Sequence, residues 1–237
     1  MKIKDIRLIE IEIHSYCNRT CSFCPNSYID RSFKKELNEG LYINLLHELK
    51  KGDFKGRISY SRYNEPFAIP ELLERRVIQA QSILPDVQLV TNTNGDYDIK
   101  PFMGILEITE MDYDGNKSLK SLPGYRVMRL GKINNRGGAL KLKQEKRTTP
   151  CYEPSYFVGV NYDSTISPCC NIRHDVPEHK NYILGNLKNN TLIEILNSEF
   201  AKNFRIRAKI GKQEILPTPC KYCLKEEGRY TSDNPGI

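Results

Sequence analysis

The chain has no tryptophan and no apolar run that approaches the roughly 18 to 20 continuous residues a spanning helix needs. A membrane span is therefore not expected. The start, MKIKDIRLIEIEIH, interleaves charges where a secretory signal has an uninterrupted apolar stretch, which leaves the cytoplasm as the expected compartment. Tryptophan's absence, with 14 tyrosines present, removes one obvious base-stacking signature. Excess charge is short as well: 36 Lys and Arg against 29 Asp and Glu give a formal +7. That balance fits a solvated basic surface, and it would also attract an acidic or phosphorylated partner. The sequence contains no internal repeat.

What the chain does have is an alternation. Its 237 residues, 39% hydrophobic, suffice for one generous domain or a domain with an appendage. Residues 6–14 alternate apolar and polar side chains like a strand, and 41–52 recur at helical spacing and stop on Gly52. A second strand is predicted over 56–66, a helix over 70–84 with Pro70 in its first turn, and further strands over 87–95, 105–115 and 125–130. The connections after the third and fourth strands are too short for full helices. Strand, crossover and strand again means an α/β fold with a parallel sheet, open or curled into a partial barrel, whose chemistry sits at the C-terminal strand ends.

Around Asn134 the character changes. Residues 134–150 are charged and glycine-broken like a linker. Two short strands are predicted within 156–170 around Asp163 and Ser164, and one helix within 184–211, N-capped by Thr191 with Glu194 at the capping-box position. The expected division is a barrel over 1–133, a linker over 134–150 and a cysteine-rich domain over 151–237.

In a reducing compartment the eight cysteines read as metal ligands rather than a disulfide framework. Cys17, Cys21 and Cys24 fall on the loop just past the first strand, where such a sheet holds a ligand. Three thiolates on one loop suit an iron–sulfur cluster or zinc, and leave a tetrahedral set one short. A [4Fe–4S] cube on three cysteines keeps one iron open. Zinc would need His14, which sits at a strand end and would require a sharp return of the chain.

The spacing C-x3-C-x2-C, with Phe23 before the last cysteine and the set placed after the first strand of a βα series, resembles the radical S-adenosylmethionine (radical SAM) superfamily. The resemblance implies that Cys17, Cys21 and Cys24 ligate the cluster, that its open iron takes the amino and carboxylate groups of SAM, and that Phe23 lies against the adenine. YNEP, residues 63–66, stands where the family carries Gly-Gly-Glu or Gly-Glu-Pro. Glu65 is then the expected partner of the SAM ammonium, with Asn64 in place of the usual glycine. TNTNG (91–95), which supplies Thr93 and Asn94, and MDYDG (111–115), which supplies Asp112, follow the third and fourth strands where Thr-Asn-Gly and Ser-x-Asp-Gly elements are common in the family.

Cys151, Cys169, Cys170, Cys220 and Cys223 resemble the cysteine-rich extension called SPASM, or its shorter twitch version. DSTISPCC, LGNL and CKYC carry that likeness, with Ser164 replacing the usual turn glycine. Five cysteines cannot fill two four-ligand sites, so the resemblance implies one auxiliary [4Fe–4S] cluster on Cys151, Cys169, Cys220 and Cys223. Cys169 is preferred to Cys170 for its spacing from the turn, since adjacent side chains in a strand point apart.

The fold implied is a partial (βα) barrel of five to six parallel strands with a small SPASM or twitch domain. The activity implied is an oxidation started by a 5′-deoxyadenosyl radical, with the auxiliary cluster accepting an electron. A ribosomally made precursor peptide is the first substrate class, held with a separate recognition protein because the chain begins on its first strand. The compact size also suits a small-molecule, aminocyclitol-type alcohol dehydrogenase. A flavodoxin or ferredoxin is the expected reductant, and neither membrane nor nucleic acid is an expected partner. A zinc-ribbon nucleic-acid-binding module is the alternative outside enzymes, but it leaves YNEP and the one-short triad unexplained. Arg136, in the glycine-flanked NNRGG, and Arg62 are the candidate substrate contacts.

Overall fold

Strand β1 (Leu8–Ile11) has parallel neighbours on both sides, β2 (Arg57–Ser59) and β6 (Phe157–Val160), as its apolar run demands. The computed structural model describes residues 1–99, 106–112, 124–129, 134–142 and 146–223, without the side chains of Asp112 and Arg129. Strands β3 (Gln88–Thr93), β4 (Leu106–Asp112) and β5 (Tyr125–Arg129) extend the sheet beyond β2. On the other side β7 (Thr165–Ser167) and β8 (Gly185–Asn186) join antiparallel. The order is β5-β4-β3-β2-β1-β6-β7-β8, so six parallel strands carry a two-strand antiparallel edge.

The sixth parallel strand comes from beyond the expected linker. Phe157–Val160 is buried throughout, and its register with β1 pairs Leu8 with Phe157 and Ile11 with Val160. The sheet therefore runs across the stretch 134–150.

Helix α1 (Glu39–Lys51) starts where Asn38 accepts the Leu41 N–H at 3.0 Å, and α2 (Pro70–Ile83) starts on a proline. Tyr42, Leu45, Leu46 and Leu49 of α1, with Leu72, Leu73, Val77 and Ala80 of α2, cover the sheet. The single helix expected over 184–211 is two, α3 (Leu192–Asn197) and α4 (Glu199–Ile210). Ser198 breaks the run with an extended backbone and caps α4 by accepting the Ala201 N–H at 3.2 Å. The Thr191–Glu194 capping box forms as the sequence predicts, with Thr191 N–H donating to Glu194 at 2.9 Å. Glu48 of α1 accepts the Leu192 and Ile193 N–H groups at 2.9 and 2.7 Å, which docks α3 on the barrel side of the molecule. Among the described residues no helix is long and apolar enough to cross a membrane.

Candidate active site and cluster loops

Beyond β1 the chain makes one antiparallel bridge, His14 to Glu36, and enters the thiol loop. Cys17 N–H donates to the Arg31 carbonyl at 3.1 Å and Cys24 N–H to the Cys21 carbonyl at 2.9 Å, so the Cys21–Cys24 stretch, with half-buried Phe23, is a closed turn. All eight cysteines are free thiols. Burial pushes Cys17 up to about 11 and raises Cys21, with the neighbouring thiols adding like-charge repulsion. Such thiols are poor free nucleophiles and become thiolates when a metal charge joins them, a donor set that fits a metal centre. Among the described residues no three His, Cys, Asp or Glu side chains close on a single ion; a four-iron cube holds its thiolates further apart than one ion does. His14 is fully buried, accepts the Tyr16 N–H on Nδ1 at 3.2 Å, and is held by burial down to about 4.

Glu65 and the end of β3 come together. Glu65, 3% exposed, accepts the Thr93 hydroxyl at 2.7 Å, the Asn94 N–H at 2.8 Å and the Phe67 N–H at 3.2 Å. Burial raises its carboxyl, while those donors work in the opposite direction. The result is a carboxylate fixed at the C-terminal strand ends. Asn64 is turned into its own loop: its oxygen accepts Arg62 N–H at 3.2 Å and its amide donates to the Tyr60 carbonyl at 3.3 Å. Asp112 ends β4 beside Arg129 of β5, and its side chain lies outside the described residues.

Three residues that sequence reading passed over tie the thiol loop to β3. Asn94 donates to the Asn18 side-chain oxygen at 2.8 Å, Asn18 donates to Asp96 at 2.8 Å, and Arg19 forks onto the same carboxylate, its Nε at 2.5 Å. The available signal was the polar NxxC run facing NGD, but its meaning depends on β3 lying two strands from β1.

The second thiol set is assembled from three segments. Cys151 N–H donates to the Ala208 carbonyl of α4 at 2.9 Å, Cys169 lies two residues past β7, and Cys220 and Cys223 form a turn closed by a 3.3 Å backbone bond. Burial raises Cys151, Cys169 and Cys220; Cys169 also feels Cys220 and Cys223, and Cys220 feels Cys223 and Cys151. All four expected ligands thus share one neighbourhood. Arg147 ties it together, donating to the Cys223 carbonyl at 2.8 Å and the Pro150 carbonyl at 2.9 Å. Asn171 donates to the Cys223 sulfur at 3.2 Å. Ser164 holds φ +74° where the family carries glycine, a left-handed turn that costs a residue with a Cβ.

Between the two sets lie Arg62, Tyr63 and Arg136. Arg62 donates to Asn161 at 3.0 Å, Glu10 at 3.4 Å, the Cys169 carbonyl at 3.3 Å and the Ile172 carbonyl. Four hydrogen bonds thus tie it to protein groups. Tyr63 donates its hydroxyl to the Cys170 carbonyl at 2.6 Å. Arg136 sits on a left-handed backbone, φ +50°, stabilised by its N–H on the Asn134 side chain at 2.9 Å. Burial acts to lower the Arg136 guanidinium, but nearby Tyr63, Cys170, Cys24 and Glu10 raise it on balance. Its Nε is buried with no hydrogen-bond partner among the described residues. Of the two expected substrate contacts, Arg136 is the one with a buried nitrogen left unpartnered among the described residues.

Residues 151–224 match the SPASM iron–sulfur cluster-binding domain. The chain is 27% identical over 236 residues to the S-adenosyl-L-methionine-dependent 2-deoxy-scyllo-inosamine dehydrogenase of Niallia circulans, a match covering 91% of this chain and 92% of that protein. In fold it is similar to BtrN in complex with AdoMet and 2-DOIA, with a TM-score of 0.80, 24% identity, and 95% and 97% of the two chains covered. It is also similar to Streptococcus suis SuiB bound to precursor peptide SuiA, with a TM-score of 0.58, 10% identity, and 84% and 66% covered.

Proposed function

We propose that this chain, which belongs to the radical SAM enzymes with a C-terminal SPASM domain, oxidises one secondary alcohol of a small cyclic polyol or aminocyclitol to a ketone. Cys17, Cys21 and Cys24 would hold a [4Fe–4S] cluster whose open iron takes SAM, lined by Phe23, Asn64, Glu65, Thr93, Asn94 and Asp112. Cys151, Cys169, Cys220 and Cys223 would hold one auxiliary [4Fe–4S] cluster. When bound, the first cluster and SAM would supply the radical chemistry that removes the carbon-bound hydrogen, and the auxiliary cluster would supply a one-electron acceptor, the hydroxyl proton passing to solvent.

The chain's own residues position and exclude. Glu65, desolvated and fixed by three donors, offers its charge to the SAM ammonium. Arg136 stays protonated, because its neighbours raise it, so it acts as a donor to a substrate oxygen and not as a base. The barrel would span about 1–133 with the linker to about 150, and β6 of the following domain closing its sheet on β1.

The observation that carries the small-molecule reading is the end-to-end match to a dehydrogenase of a cyclic amino alcohol, 91% of one chain and 92% of the other. It favours that substrate class over the precursor peptide, since SuiB, bound to its precursor peptide, is only 10% identical and shares the fold alone. The test is anaerobic reconstitution with iron and sulfide, then SAM turnover with carbon-deuterated inositols and aminocyclitols beside a panel of precursor peptides. Deuterium recovered in 5′-deoxyadenosine together with a polyol ketone supports the reading. Deuterium arriving only from a peptide replaces it with peptide maturation, and a zinc-loaded protein that makes no 5′-deoxyadenosine removes both.

A further inference from the structure

A chain of buried charges joins the two thiol loops, and no step proposed above uses it. It starts four residues past Cys169. Arg173, 0% exposed, forks onto Asp175 with Nε at 2.7 Å and Nη2 at 2.6 Å. Its remaining nitrogen, Nη1, donates to the Asn26 side chain at 2.7 Å, two residues past Cys24. The guanidinium lies 4.2 Å from the centre of the Tyr63 ring. From Asp175 the chain continues to Arg31, whose Nε donates to the same carboxylate at 3.0 Å and whose Nη1 reaches Glu12 at 2.9 Å and the Ser15 carbonyl at 3.0 Å. The Arg31 carbonyl in turn accepts the Cys17 N–H at 3.1 Å.

Each bond therefore ends on a cluster loop. Asn26 closes a second route, donating to the Tyr63 carbonyl at 3.0 Å while Tyr63 donates to the Cys170 carbonyl at 2.6 Å. The backbone of Arg173 is fixed too: its N–H donates to Nδ1 of His179 at 3.1 Å, and Nε2 of His179 meets the Gly137 carbonyl at 2.9 Å, next to Arg136. With Nδ1 accepting, the proton is on Nε2 and His179 is neutral. Arg173 thus touches the first thiol loop, the second thiol loop and, through His179, the Arg136 turn.

Stability alone does not account for this. Burying Arg173, Arg31 and Glu12 costs several kcal/mol per ion before pairing returns any of it, and an apolar replacement often does as well. What such a network can specify is relative position, and the chemistry proposed here needs it. Hydrogen removal on one side of the substrate and electron removal on the other require both loops at fixed places around one carbon, where an error near 1 Å costs about a hundredfold.

We infer that Arg173 is a positioning residue that locks the Cys169–Asp175 segment of the auxiliary site to the Cys24–Arg31 segment of the SAM site. This rests on the reading that both thiol sets hold clusters, since only then is there a geometry to keep. Lysine at this position keeps the charge but loses the fork, so it cannot hold Asp175 and Asn26 together.

The test uses reconstituted holoenzyme and the variants Arg173→Lys and Arg173→Met. Iron and sulfide content, the electron paramagnetic resonance signal of each reduced cluster, amide hydrogen exchange, and the ratio of 5′-deoxyadenosine to ketone are measured on each. In Arg173→Lys both cluster signals persist, exchange accelerates over 169–176 and over 24–31 together, and ketone per 5′-deoxyadenosine falls about ten- to a hundredfold. Faster exchange confined to 169–176, with 24–31 unchanged, overturns the inference, as does an unchanged ratio with both segments loosened. If Arg173→Met fails to fold, the lysine variant alone decides. Should wild type oxidise no polyol, the proposed function fails, but the exchange experiment still judges the lock between the loops.

Discussion

The two thiol sets are built in opposite ways. Cys17, Cys21 and Cys24 come from one loop after β1, closed by the Cys21–Cys24 turn and pinned to the β3 end through Asn18 and Arg19. Cys151, Cys169, Cys220 and Cys223 come from three segments and meet only because α4, β7 and Arg147 bring them together. If the thiols hold clusters as proposed, a local set of three would leave a corner for a ligand, while a non-local set of four would close on itself. That difference separates a site that does chemistry on a bound molecule from one suited to passing electrons.

The largest effect breaks the comparison directly. Alanine at Cys17, Cys21 and Cys24 together is expected to reduce 5′-deoxyadenosine formation to background while the auxiliary signal and its share of iron survive. Alanine at Cys151 and Cys220 is expected to do the reverse, leaving SAM cleavage while ketone formation disappears. Iron analysis and chromatography of the turnover mixture check both. If either triple or double variant lost both functions alike, the two sets would not be separate sites.

Next in size is Glu65→Gln. The amide keeps the shape but loses the charge, and it presents hydrogens to the Asn94 N–H that the carboxylate now accepts at 2.8 Å. SAM affinity should fall roughly tenfold, about 1.4 kcal/mol, with no change in auxiliary iron. Equilibrium dialysis with labelled SAM measures this, and an unchanged affinity would remove Glu65 from the SAM site.

Gly159→Ala probes the other region. A Cβ there would stand 2.3 Å from Nη1 and 2.6 Å from Cζ of Arg62, whose Nη2 holds the Cys169 carbonyl. Displacing a pinned, buried guanidinium is expected to cost about 1–3 kcal/mol of unfolding free energy. Auxiliary-cluster loading should fall with it, while SAM cleavage is retained. Denaturant unfolding of the holoenzyme and iron content report the two effects, and a variant as stable and as iron-rich as wild type would show that Arg62 has room to move.

The same contrast explains what was legible in the sequence. The first loop, YNEP and TNTNG stand out by their resemblance to family motifs at successive strand ends, because the residues that carry each motif are neighbours along the chain. Five parallel strands are legible from alternation. β6 is visible as an apolar run, but its partner β1 lies some 150 positions away, and nothing local says that Leu8 pairs with Phe157. The helix over 184–211 has continuous periodicity, and the break at Ser198 is a capping choice that periodicity averages away. Arg62 carries the features of a substrate contact in the sequence, and nothing local shows that it also donates to the carbonyls of Cys169 and Ile172. Arg31 and Arg173 gave no signal at all, since scattered charges on a basic chain look solvated until the fold buries them.

The smallest effect sharpens the comparison through one histidine in each region. His14, ahead of the first thiol loop, is lowered by burial from 6.5 to about 4, and His179, beside the second, is lowered by burial as well although its bond to Gly137 opposes the shift. A histidine held neutral in the fold binds fewer protons than the unfolded chain between those two values. Stability contributed by His14 is therefore complete above about pH 6.5 and declines as pH falls towards 4, costing about 1.4 kcal/mol at pH 5.5. His14→Gln keeps an acceptor for the Tyr16 N–H and cannot titrate, so its urea midpoint should move less than that of wild type between pH 7.5 and 5.5. His179→Gln should also flatten the slope, but it loses the Arg173 N–H contact and starts from a lower midpoint at pH 7.5. Equal slopes in wild type and His14→Gln would mean that acid acts on the clusters alone, and that the buried imidazole ahead of Cys17 contributes no pH dependence to the fold.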